Sequence, residues 1–188
     1  MKDNHHFGEI KRMNRIELQT DKQFQINLNW NTYVDMDLAL FYQTNNNEAG
    51  GVFSMDYTNK KESEGCLDHL PYIKYMHDGP ESEMLGCIEQ ILVSSLQDMQ
   101  LINICAIDYS AVINGDKTDF STSGGRLDFV KSGKCFHSIL MNNHKTGDIY
   151  VFCRILSIEG RFWLEDSNDV LTLQEAYNTI PGFSKICN

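Results

Sequence analysis

The chain has 188 residues, 41% of them hydrophobic and 22% charged, and a formal net charge of −10. That length suffices for one domain with its own core, without metals or disulfides as staples. The charge argues against a nucleic-acid partner, because a polyanion is repelled by an acidic surface without a broad basic patch. The one basic cluster, Lys11, Arg12 and Arg15, reads as part of a solvated arm over residues 1–13. No apolar run approaches the ~20 residues of a membrane span. The first residues, MKDNHHFGEIKRMNRIEL, contain no apolar secretory segment. A cytoplasmic protein with a single domain over 14–188 is the expectation.

In chain order, Phe24, Ile26, Leu28 and Trp30 alternate with polar residues and predict a half-buried strand. Residues 36–43 (MDLALFYQ) carry apolar residues on both faces and predict a central strand. TNNNEAGG at 44–51 is turn chemistry, and 52–57 would return as the second arm of a hairpin. Residues 71–76 predict a short strand running into the turn His77-Asp78-Gly79-Pro80. Strands follow at 88–95 and 101–109, then a loop over 113–125 and a short strand at 126–130. Two strands at 135–141 and 148–158 read as a hairpin through the polar segment 142–147. Glu159-Gly160 is a tight turn into a strand at 161–165. Only the end looks helical: Thr172 and Glu175 form a capping box, and Pro181-Gly182 stops the helix. The fold class is therefore all-β: an antiparallel β-sandwich of about nine or ten strands with a short C-terminal helix. Trp30, Leu38, Leu40, Ile104, Ile107, Ile139, Val151 and Trp163 are its expected buried residues.

The six cysteines, Cys66, Cys87, Cys105, Cys135, Cys153 and Cys187, include no CxxC pair, so neither a zinc knuckle nor a dithiol redox motif is indicated. Cys105, Cys135 and Cys153 stand in alternating apolar segments and read as small buried hydrophobes. No nucleophile elbow, P-loop, dinucleotide fingerprint or HExxH motif occurs. A thiol–imidazole pair could draw on His69, His77, His137 or His144, but local context singles none out; His137 reads as a satisfied strand histidine. The chain is expected not to be an enzyme.

Two acidic features remain. Asp35-Met36-Asp37 opens a strand, and Asp78-Gly79-Pro80-Glu81-Ser82-Glu83 forms a loop before another. Calcium takes several oxygen ligands from such loops, with glycine allowing a sharp turn, although the pattern is not an EF-hand.

At these clusters the chain resembles the TerD-type domain of tellurium-resistance and stress-response proteins. The order Leu28-Asn29-Trp30, then Val34-Asp35-Met36-Asp37-Leu38-Ala39-Leu40, and late Arg161-Phe162-Trp163 carries the likeness. Leu67-Asp68-His69-Leu70-Pro71-Tyr72-Ile73-Lys74 followed by Asp78 is most similar to the TerA-like branch. The likeness spans residues 14–180. It implies a cytoplasmic, non-enzymatic sandwich that binds calcium through acidic loops and works with other proteins of a stress-response system. By the resemblance, Asp35 and Asp37 stand where the family's paired aspartates belong, and Asp78, Glu81 and Glu83 stand in its acidic loop. That loop is shortened here to DGPESE, with glutamates replacing aspartates and a proline stiffening the turn, which leaves at most one weak calcium site. The rival expectation is a metal-free protein-interaction sandwich.

Overall fold

A computed structural model describes residues 15–19, 22–31, 34–76 and 87–187. Fourteen strands occur among them: β1 (Arg15–Leu18), β2 (Phe24–Trp30), β3 (Met36–Thr44), β4 (Ala49–Val52), β5 (Gly65–Cys66), β6 (Ile73–Met76), β7 (Cys87–Val93), β8 (Met99–Asp108), β9 (Thr118–Asp119), β10 (Arg126–Lys131), β11 (Lys134–Leu140), β12 (Thr146–Gly147), β13 (Ile149–Ile158) and β14 (Arg161–Leu171). Helix α1 covers Tyr109–Asn114 and α2 covers Leu173–Thr179. One six-stranded sheet has the order β1-β14-β13-β8-β3-β4, a second β11-β10-β2-β7-β6-β5, and β12 pairs with β9. Every pairing is antiparallel. No helix among the described residues is long and apolar enough to cross a membrane.

The alternation seen in the sequence builds the core between the two sheets. Ile26 and Leu28 of β2, Ile91 and Val93 of β7, and Leu127 and Phe129 of β10 face Leu38 and Leu40 of β3, Ile102 and Ile104 of β8, and Phe152 of β13. The first sheet is covered on its outer face too. Ala39, Phe41, Cys105, Ile107, Ile149 and Val151 pack there against Ala176, Ile180 and Phe183 of the C-terminal segment. This second layer explains why β3 is apolar on both faces. Thr172 caps α2 as its capping box predicts. Glu159 and Gly160, both at positive φ, close the β13–β14 hairpin.

Several expectations are corrected. Residues 142–147 do not close a hairpin: β11 pairs with β10, while β13 pairs with β8 and β14, so this segment crosses from one sheet to the other. Polar turn residues serve either connection equally, and only the apolar faces decide which sheet each strand joins. The return strand of the first hairpin is Ala49–Val52, followed by a 3-10 turn at Met55–Tyr57, not a strand over 52–57. Gly50 is there for close packing, since a Cβ on it would lie 2.4 Å from the Tyr42 ring. Residues 109–114 form α1, capped by Asp108, whose side chain accepts from the Ala111 N–H, and ended by Gly115 in the left-handed region. The strand count exceeds nine or ten mainly because β5, β9 and β12 are two-residue bridges. Trp30 and Trp163 are half-buried rather than buried. Each lies at a polar contact: the Trp30 indole N–H donates to Val34 O at 2.5 Å, and the Arg15 guanidinium lies 5.8 Å from the Trp163 ring centre.

Cys135 is exposed, contrary to the expected burial, because β11 is an edge strand. Cys105 and Cys153 are buried, and burial pushes both thiols well above their usual range. The described cysteines form no disulfide. Thiol titration of the unreduced, denatured protein should therefore count all six cysteines of the sequence. In the native protein Cys135 and Cys187 should react long before Cys105 and Cys153. A denatured count of four or fewer would contradict the thiol assignment.

Candidate functional site

The start of β3 is the chemically distinctive place. β4 runs beside only Leu40–Gln43, so among the described residues no strand flanks the first residues of β3 on that edge. Glu89 of β7 fills the gap from the opposite sheet. Its Oε2 accepts from the Leu38 N–H and its Oε1 accepts from the Tyr75 hydroxyl at 2.6 Å. Glu89 is 6% exposed. Asp37 stands on the outer-face register of β3, where its Oδ2 accepts from the Tyr57 hydroxyl at 2.6 Å. The Tyr57 ring is held edge-on by Phe53 and Tyr109, with ring centres 6.1 and 5.1 Å away.

Asp35, two residues before Asp37, is exposed. Its backbone carbonyl accepts from the Tyr109 N–H at 3.0 Å, and its Oδ2 accepts from the Ser110 hydroxyl at 3.4 Å. Asp56 lies in the 3-10 turn that follows β4, with Oδ2 accepting from Ser54 at 3.2 Å. Thus four carboxylates gather around the opening of β3. None forms an ion pair with a lysine or arginine among the described residues.

The electrostatics follow from burial. Removal from water raises both Glu89 and Asp37 above the usual carboxylate range. The Asp37 charge raises Glu89 further. The hydrogen bonds from Tyr57 and Glu89 hold Asp37 down in part, while the charges of Asp35 and Asp56 push it up. Two buried carboxyls in mutual hydrogen-bond contact retain a shared proton near neutrality, with Glu89 the more strongly raised. Tyr57 is also pushed up, by burial and then by Asp37, so its hydroxyl stays a donor.

Of the five residues that the sequence nominates, Asp35 and Asp37 come together here, on one face at the head of β3. Asp78, Glu81 and Glu83 lie outside the described residues. Glu89, Tyr57 and Tyr75 were not nominated. Glu89 carried a signal: alternation puts it on the same face as Ile91 and Val93, a carboxylate at a core position. The tyrosines carried none, since only the fold brings 57 and 75 to residues 37 and 89.

The donor set consists of hard oxygens, which suit calcium in kind. Asp35, Asp37 and Glu89 are the described residues that would hold such an ion, and the Glu89 proton would have to leave. By themselves the described residues place no group of three or more such side chains in metal-holding geometry.

The thiol–imidazole pairing weighed at Cys135 and His137 does not form. The His137 Nε2 lies 2.9 Å from Asp166 Oδ1, while the Cys135 sulfur meets the His137 carbonyl and Ser138 Oγ, each at 3.3 Å. Ser121 Oγ donates to Asp119 Oδ1 at 2.6 Å and lies 2.8 Å from His144 Nδ1. The aspartate there bonds the serine, not the imidazole, so among the described residues the histidine has no orienting carboxylate of the kind a nucleophilic triad uses.

No protein-family model matches the chain, and no curated protein matches it. Solved structures do. A crystal structure of the unknown-function protein SAV2460 is similar over 81% of this chain and 93% of its own, with 7% identity and a TM-score of 0.53. A homologue of the telluride resistance protein TerD, SCO6318 from Streptomyces coelicolor A3(2), is similar over 79% and 92%, with 7% identity and a TM-score of 0.48. The first likeness is one of fold, over most of both chains.

Proposed function

We propose that this chain is a non-enzymatic β-sandwich of the tellurium-resistance, stress-response type, which acts in the cytoplasm with other proteins and binds calcium weakly at the acidic head of β3. One observation supports the reading. Asp35, Asp37, Asp56 and Glu89 crowd one edge of β3 with no cationic side chain paired to them among the described residues. The innermost two coexist by keeping a proton. A divalent cation supplies the missing counter-charge and displaces that proton.

The test is thermal melting of metal-stripped protein with and without calcium. An ion bound only to the native state stabilises it by about 2.7 kcal/mol at a hundredfold excess over Kd. Calcium should raise Tm, more at pH 8 than at pH 6, because binding releases a proton. Asp37→Ala should abolish the rise. If millimolar calcium leaves the wild-type curve unmoved at both pH values, calcium binding is not a property of this chain.

A second reading, a metal-free protein-interaction module, has its own observation. Asp37 and Glu89 already accept from Tyr57, Tyr75 and the Leu38 N–H, so the carboxyls are satisfied without an ion. It requires equal melting with and without calcium.

A further inference from the structure

At the opposite edge of the sandwich from β4 and β5, the outermost strands β1 and β11 stand at the ends of their sheets. Between them opens a cavity of about 440 Å³, within the usual size of small-molecule sites. Its apolar wall is formed by Leu18, Phe24 and Phe136, and Lys22, Lys131 and Lys134 line it as well.

Phe136 is placed there by a bulge. The β10–β11 register steps from Phe129↔His137 to Val130↔Cys135, which leaves Phe136 unopposed. Such an extra residue re-aims its side chain. The Phe136 ring packs 6.0 Å from Phe129, and Phe129 packs 6.4 Å from Phe24. The row of aromatics thus runs from the core to the cavity. Yet Phe136 remains 43% exposed, a large hydrophobe at the mouth of a cleft.

Charge selects the occupant. Three lysines line this one cavity in a chain of net charge −10. Lys131 Nζ is tied to Gln19 O at 2.9 Å, which holds its charge at the wall. Among the described lining residues the one acidic side chain, Glu17, has its carboxylate 3.6 Å from the Arg161 guanidinium, which offsets it.

We propose that this cleft binds a small organic anion, its apolar body against Phe24 and Phe136 and its acidic head at Lys22 and Lys134. The site is separate from the acidic head of β3 and does not rest on the calcium reading.

The test uses the native chain and the anionic fluorophore 8-anilinonaphthalene-1-sulfonate. Its emission should rise saturably with one site per chain and be displaced by decanoate, but not by inorganic phosphate, which has a head and no body. The exposed double variant Lys22→Glu/Lys134→Glu should raise Kd roughly tenfold or more, and Phe136→Ser should do likewise. The neutral analogue N-phenyl-1-naphthylamine should bind more weakly and be indifferent to the lysine changes. Absence of saturable emission, or variants that bind like the wild type, would overturn the site. Equal affinity for the neutral probe, or displacement by phosphate as effective as by decanoate, would overturn the ligand class.

Discussion

Replacing Phe41 by alanine is expected to destabilise the protein by about 3–5 kcal/mol, the range for deleting a buried aromatic ring. In urea unfolding the midpoint should fall with little change in slope, and Tm should drop on the order of 10 °C. Phe41 is fully buried, but not between the two sheets. It points to the outer face of β3, where its ring centre lies 5.0 Å from Phe183 and 6.0 Å from Phe53. The loss therefore measures how firmly the C-terminal segment is packed onto the first sheet. The matched control is Phe136→Ala at the exposed bulge, where less than about 0.5 kcal/mol should be lost. A cost at Phe41 below about 1.5 kcal/mol would mean that the outer layer is loosely held and that α2 is not part of the core.

What the sequence disclosed and what it withheld divide along a physical line. Local periodicity was legible: alternation marks β2, double-sided hydrophobicity marks β3, and the Thr172–Glu175 capping box marks α2. Pairing was not, because β10, β11 and β13 present the same alternation whichever sheet receives them. The 142–147 segment consequently read as a hairpin when it is a crossover. Gly50 and Gly51 read as turn residues, although the second arm of the hairpin runs through them against the rings of Tyr42 and Phe41. Helix α1 was hidden because its two ends, Asp108 and Gly115, enclose only six residues, too few for a helical period to emerge. Of the candidate site, Asp35 and Asp37 were visible as a pair. Their partners arrive from β7 and from the turn after β4, at sequence separations that no local pattern reports.

Glu89 makes the sharpest pH prediction. Burial, followed by the Asp37 charge, raises its carboxyl far above the value it has in the unfolded chain. Below about pH 4, the ordinary carboxylate range, both states carry the proton and Glu89 contributes no pH dependence. Above it the unfolded chain loses the proton while the native state keeps it, so native protein binds more protons and stability falls as pH rises. The fall is up to about 1.4 kcal/mol per pH unit and continues until the native group itself ionises. Glu89→Gln removes this titration and keeps an amide oxygen to accept from the Leu38 N–H, whose loss would leave a buried donor unsatisfied. Asp37 stays raised in the variant, because burial is the main cause of its shift and the hydrogen bond to Glu89 lowers it. In a chelator, to exclude metal effects, wild-type stability should decline more steeply between pH 5 and pH 8 than that of the variant, in which only Asp37 still contributes a fall, and the variant should be the more stable protein at pH 8. The two are to be compared by urea unfolding at each pH. Parallel profiles would show that Glu89 titrates alike in both states, and the shared-proton account of the head of β3 would then be wrong.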